Sequence, residues 1–129
     1  MPNELPELWP DSFGENQDFK TPSTILKQAA AQLGQRTKQL VRAKVNASVR
    51  GDNIELTMWL EAPSLEYRYK LLELTHDVSS FYPMHTGQWG KDGEIIIGSE
   101  GELIDYLKTV FASEKITTLI GNLMKQVRS

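Results

Sequence analysis

The chain is predicted to adopt an α+β layer fold: an N-terminal helix, a five-stranded, mainly antiparallel sheet built from two hairpins plus a middle strand, and two C-terminal helices packed on one face. Three patterns carry this prediction. Residues 41–62 alternate apolar and polar with period two on either side of a Gly51-Asp52-Asn53 break. Residues 22–40 and 103–127 return apolar side chains at helical spacing, and strand-like patterns fill the interval between them. A hairpin that is apolar on one face needs cover on that face only, so all the helices can share it and leave the other face in water.

The 129 residues suffice for one domain, residues 21–129, preceded by an extended acidic and aromatic arm, residues 1–20. Pro2, Pro6 and Pro10 leave the arm without helical or strand periodicity. Leu5, Leu8, Trp9, Phe13 and Phe19 nevertheless make it more apolar than a segment that simply stays solvated, so part of it packs, on its own domain or on a partner. Charge is unevenly divided within the net −3. The arm holds Glu4, Glu7, Asp11, Glu15 and Asp18 against Lys20, while residues 21–50 hold Lys27, Arg36, Lys38, Arg42, Lys44 and Arg50 and no acid. Such segregation is most often a solvated surface and otherwise marks internal docking or a charged partner.

Thr21 and Pro22 supply a cap and a first helical position, and a helix over about 22–40 follows, with Leu26, Ala29, Ala30, Leu33, Thr37 and Leu40 on one stripe and Gly34 as a mild cost. The first hairpin comes next. Val41 to Val49 and Ile54 to Ala62 hold the apolar sets, and two registers keep both sets on one face. The favoured one closes on a Gly51-Asp52 type II′ loop, with Val49 opposite Ile54, Arg42 opposite Glu61 and Lys44 opposite Trp59; the other uses Asp52-Asn53 and loses the last two pairings.

Beyond Pro63, residues 65–78 are rich in strand formers. Tyr67 and Tyr69 alternate with Arg68 and Lys70 until the phase changes at Leu71-Leu72, which predicts a bulge. A fourth strand is expected over about 80–89 with Pro83 at an edge or bulge, then a turn at residues 90–93, then a fifth strand over 94–97. Ser99 and Glu102 form a capping box for a helix with Leu103, Ile104, Leu107, Val110 and Phe111 inward. Ser113 caps another with Ile116, Leu119, Ile120, Leu123, Met124 and Val127 inward. Leu107, Leu119 and Leu123 are expected to be buried.

Chemistry is harder to find. The absence of cysteine removes disulfides and thiolate ligands or nucleophiles, no serine sits in a nucleophile elbow, and the glycines match neither a P-loop nor a dinucleotide fingerprint. No metal or cofactor is expected. The one enzyme or metal-protein alternative uses His76, Asp77, Tyr82 and His85, which a hairpin between the third and fourth strands would bring near one another. The nine-residue histidine spacing fits no metal motif, and adjacent strand residues such as His76 and Asp77 point to opposite faces. Nucleic acid is not the expected partner, because the chain is acidic overall and Arg42 and Lys44 are expected to be engaged by Glu61 and Trp59. With no secretory start or membrane-length apolar run, a soluble, cytoplasmic protein is expected.

Trp59 points outward with the polar set. An indole there is packed by the arm, packed by a partner, or tolerated as a single exposed aromatic. The leading expectation is a non-enzymatic module that binds another protein, or a second copy of itself, through Trp9, Phe13, Lys44 and Trp59. In size, acidity, one-sided sheet and short flanking helices the chain resembles small cytosolic bacterial accessory proteins, such as secretion chaperones and toxin-neutralising immunity proteins. That resemblance implies a chaperone-like or neutralising role; its five strands in a row depart from the interleaved order of secretion chaperones.

Overall fold

The computed structural model describes residues 5–14, 19–86 and 94–129. Within them the order is α1 (Pro22–Arg36), β1 (Arg42–Arg50), β2 (Asn53–Ala62), a 3-10 turn (Pro63–Leu65), β3 (Tyr67–Asp77), β4 (Met84–Thr86), β5 (Ile96–Ile97), α2 (Glu100–Phe111) and α3 (Glu114–Arg128). The strands form one antiparallel sheet in sequence order, β1-β2-β3-β4-β5. This is the α+β class read from the sequence.

The first hairpin has the favoured register: Val49 faces Ile54, Lys44 faces Trp59 and Arg42 faces Glu61. Gly51 takes φ +58° while Asp52 keeps a negative φ, the requirement of a type II′ loop. On the other side of β2, Met58 pairs with Leu72 but Trp59 pairs with Lys70, leaving Leu71 as the extra residue of a bulge. The phase change in the sequence is that bulge.

Helix α1 ends earlier than expected, at Arg36 rather than near residue 40. The Gln39 N–H bonds the Gly34 carbonyl at 2.8 Å and the Lys38 N–H the Gln35 carbonyl at 3.3 Å, the two closures of a Schellman motif. Lys38 (φ 53°) and Gln39 (φ 67°) occupy left-handed positions where glycine or asparagine is usual. Gly34 therefore sits at the closing turn, where an added Cβ would lie 2.9 Å from the Gln39 side chain. Thr37 ties this turn to the sheet: its hydroxyl lies 3.0 Å from the Leu33 carbonyl and 2.7 Å from that of Val41, and it accepts the Val41 N–H at 3.2 Å.

The second hairpin is shorter than predicted. β4 begins only at Met84, directly after Pro83, which has no N–H to contribute to a ladder, and β5 is confined to Ile96–Ile97. The expected turn at residues 90–93 and the end of the fourth strand at Trp89 lie outside the described residues. Both predicted caps form: Ser99 Oγ accepts the Glu102 N–H at 3.2 Å, and Ser113 Oγ accepts the Ile116 N–H at 3.4 Å. The Glu102 carboxylate meets the Ser99 hydroxyl at 3.2 Å.

All three helices cover one face. Ile25 and Leu26 from α1 and Leu103 and Leu107 from α2 pack on Leu56, Met58, Leu72 and Leu74, while Ile116 and Leu123 from α3 pack on Val41, Leu60 and Ala62. Several of the residues expected to face the core are less enclosed, Val49 near the end of β1 among the exposed ones. Ile104 is exposed and Leu119 is only half-buried, because each lies on the flank of its helix stripe rather than at its centre.

Candidate interaction surface

The uncovered face of the sheet is built in rows by the strand registers. One row holds Arg42, Glu61 and Arg68 and the next holds Lys44, Trp59 and Lys70. Four cations and Glu61 thus surround a single indole on β2, and Glu73, opposite Thr57 in the following row, binds Lys70 at 3.7 Å. The side chains combine differently from the backbone pairing. Glu61 binds Arg68 at 3.4 Å, and the Arg68 guanidinium lies 4.3 Å from the centre of the Trp59 ring with the Lys70 ammonium at 5.8 Å. The expectation that Arg42 and Lys44 are engaged by Glu61 and Trp59 is corrected here. A side chain on β2 has cross-strand neighbours on both sides, and those of β3 take both partners.

Arg42 and Lys44 are exposed on the edge strand and form no ion pair among the described residues. Trp59 is half-buried beneath its two cations. Reading the sequence alone missed Arg68 and Lys70 as its neighbours. The signal was present in the Tyr67-Arg68-Tyr69-Lys70 alternation, but assigning it needed the bulge-shifted register.

The N-terminal segment leaves its apolar groups in water. Leu5, Leu8, Trp9 and Phe13 are 79%, 69%, 75% and 71% exposed, with the Trp9 and Phe13 rings 6.2 Å apart. Phe19 lies against the folded part, 5.2 Å from Phe81, which in turn lies 5.6 Å from His76.

The alternative site is divided between the two faces. His76, 3% exposed, lies on the helix side opposite Ile54, and its Nδ1 is 2.8 Å and 3.1 Å from the backbone carbonyls of Asp77 and Ser80. His85 lies on the open face opposite Thr75 and pairs with the Glu94 carboxylate through Nδ1. Asp77 turns instead to Ser79, whose hydroxyl (2.6 Å) and N–H (2.8 Å) both donate to it and hold its carboxyl below the usual carboxylate range. No group of three or more histidine or carboxylate residues able to hold a metal occurs among the described residues. The hairpin that would have brought the two histidines together instead gives them opposite orientations, since their pairing partners Ile54 and Thr75 face opposite sides.

Tyr82 packs against the first core cluster, and its hydroxyl is buried without a hydrogen-bond partner among the described residues. Burial, and then the charge of Glu100, push its phenol above the usual value. Tyr82→Phe is expected to leave stability unchanged or raise it by about 1 kcal/mol, because only an unsatisfied group is lost. Urea denaturation of the two proteins checks this; a clear loss would show that the hydroxyl is bonded.

The helix side also contains a largely apolar cavity of about 220 Å³ between α1, the sheet and α3, lined by Ala29, Leu33, Met58, Leu71, Phe111 and Ile120, with Gln32 and Arg36 as its polar lining. Among the described residues no helix is long and apolar enough to cross a membrane. Comparison with known proteins is silent: no family model, no curated protein and no solved structure matches the chain.

Proposed function

We propose that this protein is a small non-enzymatic interaction module of the cytoplasm that binds a partner protein through the open sheet face around Trp59 and Lys44, assisted by the Trp9–Phe13 segment. The observation that carries the reading is Trp59 itself. It stands on the polar face of a sheet whose other face takes all three helices, half-covered by Arg68 and Lys70 and bordered by Arg42 and Lys44, which form no ion pair among the described residues. A central aromatic in a cationic surround suits an acidic partner surface, with the indole as anchor and the charges steering approach.

The test is recovery of the tagged protein from its own cells at low and moderate salt. A stoichiometric second protein is expected with the natural chain, and its loss is expected with Trp59→Ala, which lies outside both core clusters. Unchanged associations for Trp59→Ala and for deletion of residues 1–20 would overturn the reading.

A further inference from the structure

The strand β1 is an edge of the sheet over all nine of its residues, and it lies beside the surface proposed above. Its hydrogen-bonding groups alternate. A two-residue loop closes on a hydrogen-bonded pair, here Arg50 and Asn53, so the even-numbered residues of β1 bond β2. The Val78 N–H bonding the Asp52 carbonyl at 2.8 Å agrees, because it assigns the even residues of β2 to β3 and the odd ones to β1. The N–H and C=O groups of Ala43, Val45, Ala47 and Val49 therefore face outward and bond no other backbone group among the described residues. Such an edge is a template for another strand.

The N-terminal segment has the complementary pattern. Pro2, Pro6 and Pro10 all fall on even positions, so in an extended chain the three missing N–H groups lie along one edge and the odd residues keep a full set along the other. Leu5 and Trp9 precede prolines, which disfavours the helical region at both; in the single chain the segment bends at Trp9, Asp11 and Phe13, and it straightens on pairing. The odd residues also include Glu7 and Asp11. In a parallel pairing, odd residues that bond β1 have side chains on the same face as Arg42 and Lys44; in an antiparallel pairing they turn to the helix side. Charge selects the parallel direction, and it sets Trp9 on the face that carries Lys44, Trp59 and Lys70.

The chain's own segment does not fit this edge. Laid parallel to β1 and connected to it through α1, which covers the helix side, it would make a left-handed crossover, the hand that such connections avoid almost without exception. A second copy carries no such restriction. We propose that residues 5–13 of one chain add as a parallel strand to the β1 edge of a second copy, with Glu7 opposite its Arg42, Trp9 opposite its Lys44 and Asp11 diagonal to that Lys44, and that the exchange is reciprocal. This rests on the reading of the open face as an interaction surface and adds a second copy at its β1 edge, beside the partner protein expected at Trp59.

The experiment is the native mass of the full chain and of proline variants at about 100 µM protein. A dimer is expected for the natural chain. Glu7→Pro and Asp11→Pro each remove an N–H that faces the edge, and should weaken the dimer at least about tenfold. Leu8→Pro and Ser12→Pro place proline on the outer edge and should leave it intact. All four changes lie in the segment before α1, and circular dichroism confirms that the folded part is unaltered. A monomeric natural chain, or a dimer indifferent to the parity of the new proline, would overturn the strand exchange. Partner recovery that still depends on Trp59 would, in that event, leave the proposed function standing.

Discussion

Leu107→Ala is expected to lower the unfolding free energy by about 2–5 kcal/mol, read as a fall in the urea midpoint at an unchanged slope. Leu107 is 4% exposed and is one of the two α2 residues that join the main core cluster. Its truncation removes buried methyl groups where sheet, α1 and α2 meet, and a cavity there cannot collapse without moving α2. Against a total of about 5–15 kcal/mol for a domain, that is a large fraction. Leu123, also 4% exposed, should behave alike in the second cluster. Leu119→Ala provides the contrast. It is half-buried on the flank of α3, beside a shallow opening that Tyr67 and Tyr69 also line, and should lose less than half as much. Equal losses at Leu107 and Leu119 would contradict the packing described here.

Thr37→Val should cost about 1–3 kcal/mol although it conserves shape. The hydroxyl accepts the N–H of Val41, a residue with no exposure, and lies within bonding distance of the Leu33 and Val41 carbonyls. Valine would take the hydroxyl from the Val41 N–H and carbonyl while adding a methyl in the same place; the Leu33 carbonyl keeps the Thr37 N–H at 3.0 Å. The turn that Thr37 holds is also the one with two left-handed non-glycine residues, Lys38 and Gln39, whose strain the two Schellman hydrogen bonds and the Thr37 hydroxyl together offset. Thermal or urea unfolding checks the value. Thr37→Ser, which keeps the hydroxyl, should recover most of the loss, and a serine variant as weak as the valine one would assign the effect to packing instead.

Where the sequence was legible, the pattern was local. Period-two alternation decided the first hairpin and, because a one-residue slip would turn one apolar set outward, narrowed its register to two; the fit of Gly51 to a type II′ loop and the outer pairings of Arg42 and Lys44 favoured the one observed. The bulge was visible at Leu71 for the same reason, and both C-terminal helices were marked by Ser99 and Ser113. The end of α1 was not legible. A Schellman closure normally shows itself by a glycine at the left-handed position, and here that position is Lys38, so the helical stripe seemed to continue. The second hairpin was overextended because its alternation is weak on both sides of Pro83.

The candidate surface divides in the same way. That Trp59 faces outward, opposite Lys44, followed from the alternation alone. That its ring lies beneath Arg68 and Lys70 rather than against Lys44 was decided by tertiary structure, since β2 has a neighbour on each side and only the shifted pairing with β3 brings those two cations over the indole. Likewise, the sequence determined that His76 and His85 lie near one turn, but their placement on opposite faces depends on which residues pair across β3 and β4. Periodicity is a property of one segment and survives in the bare sequence; the choice between cross-strand neighbours is a property of the assembled sheet and exists only once the strands have met.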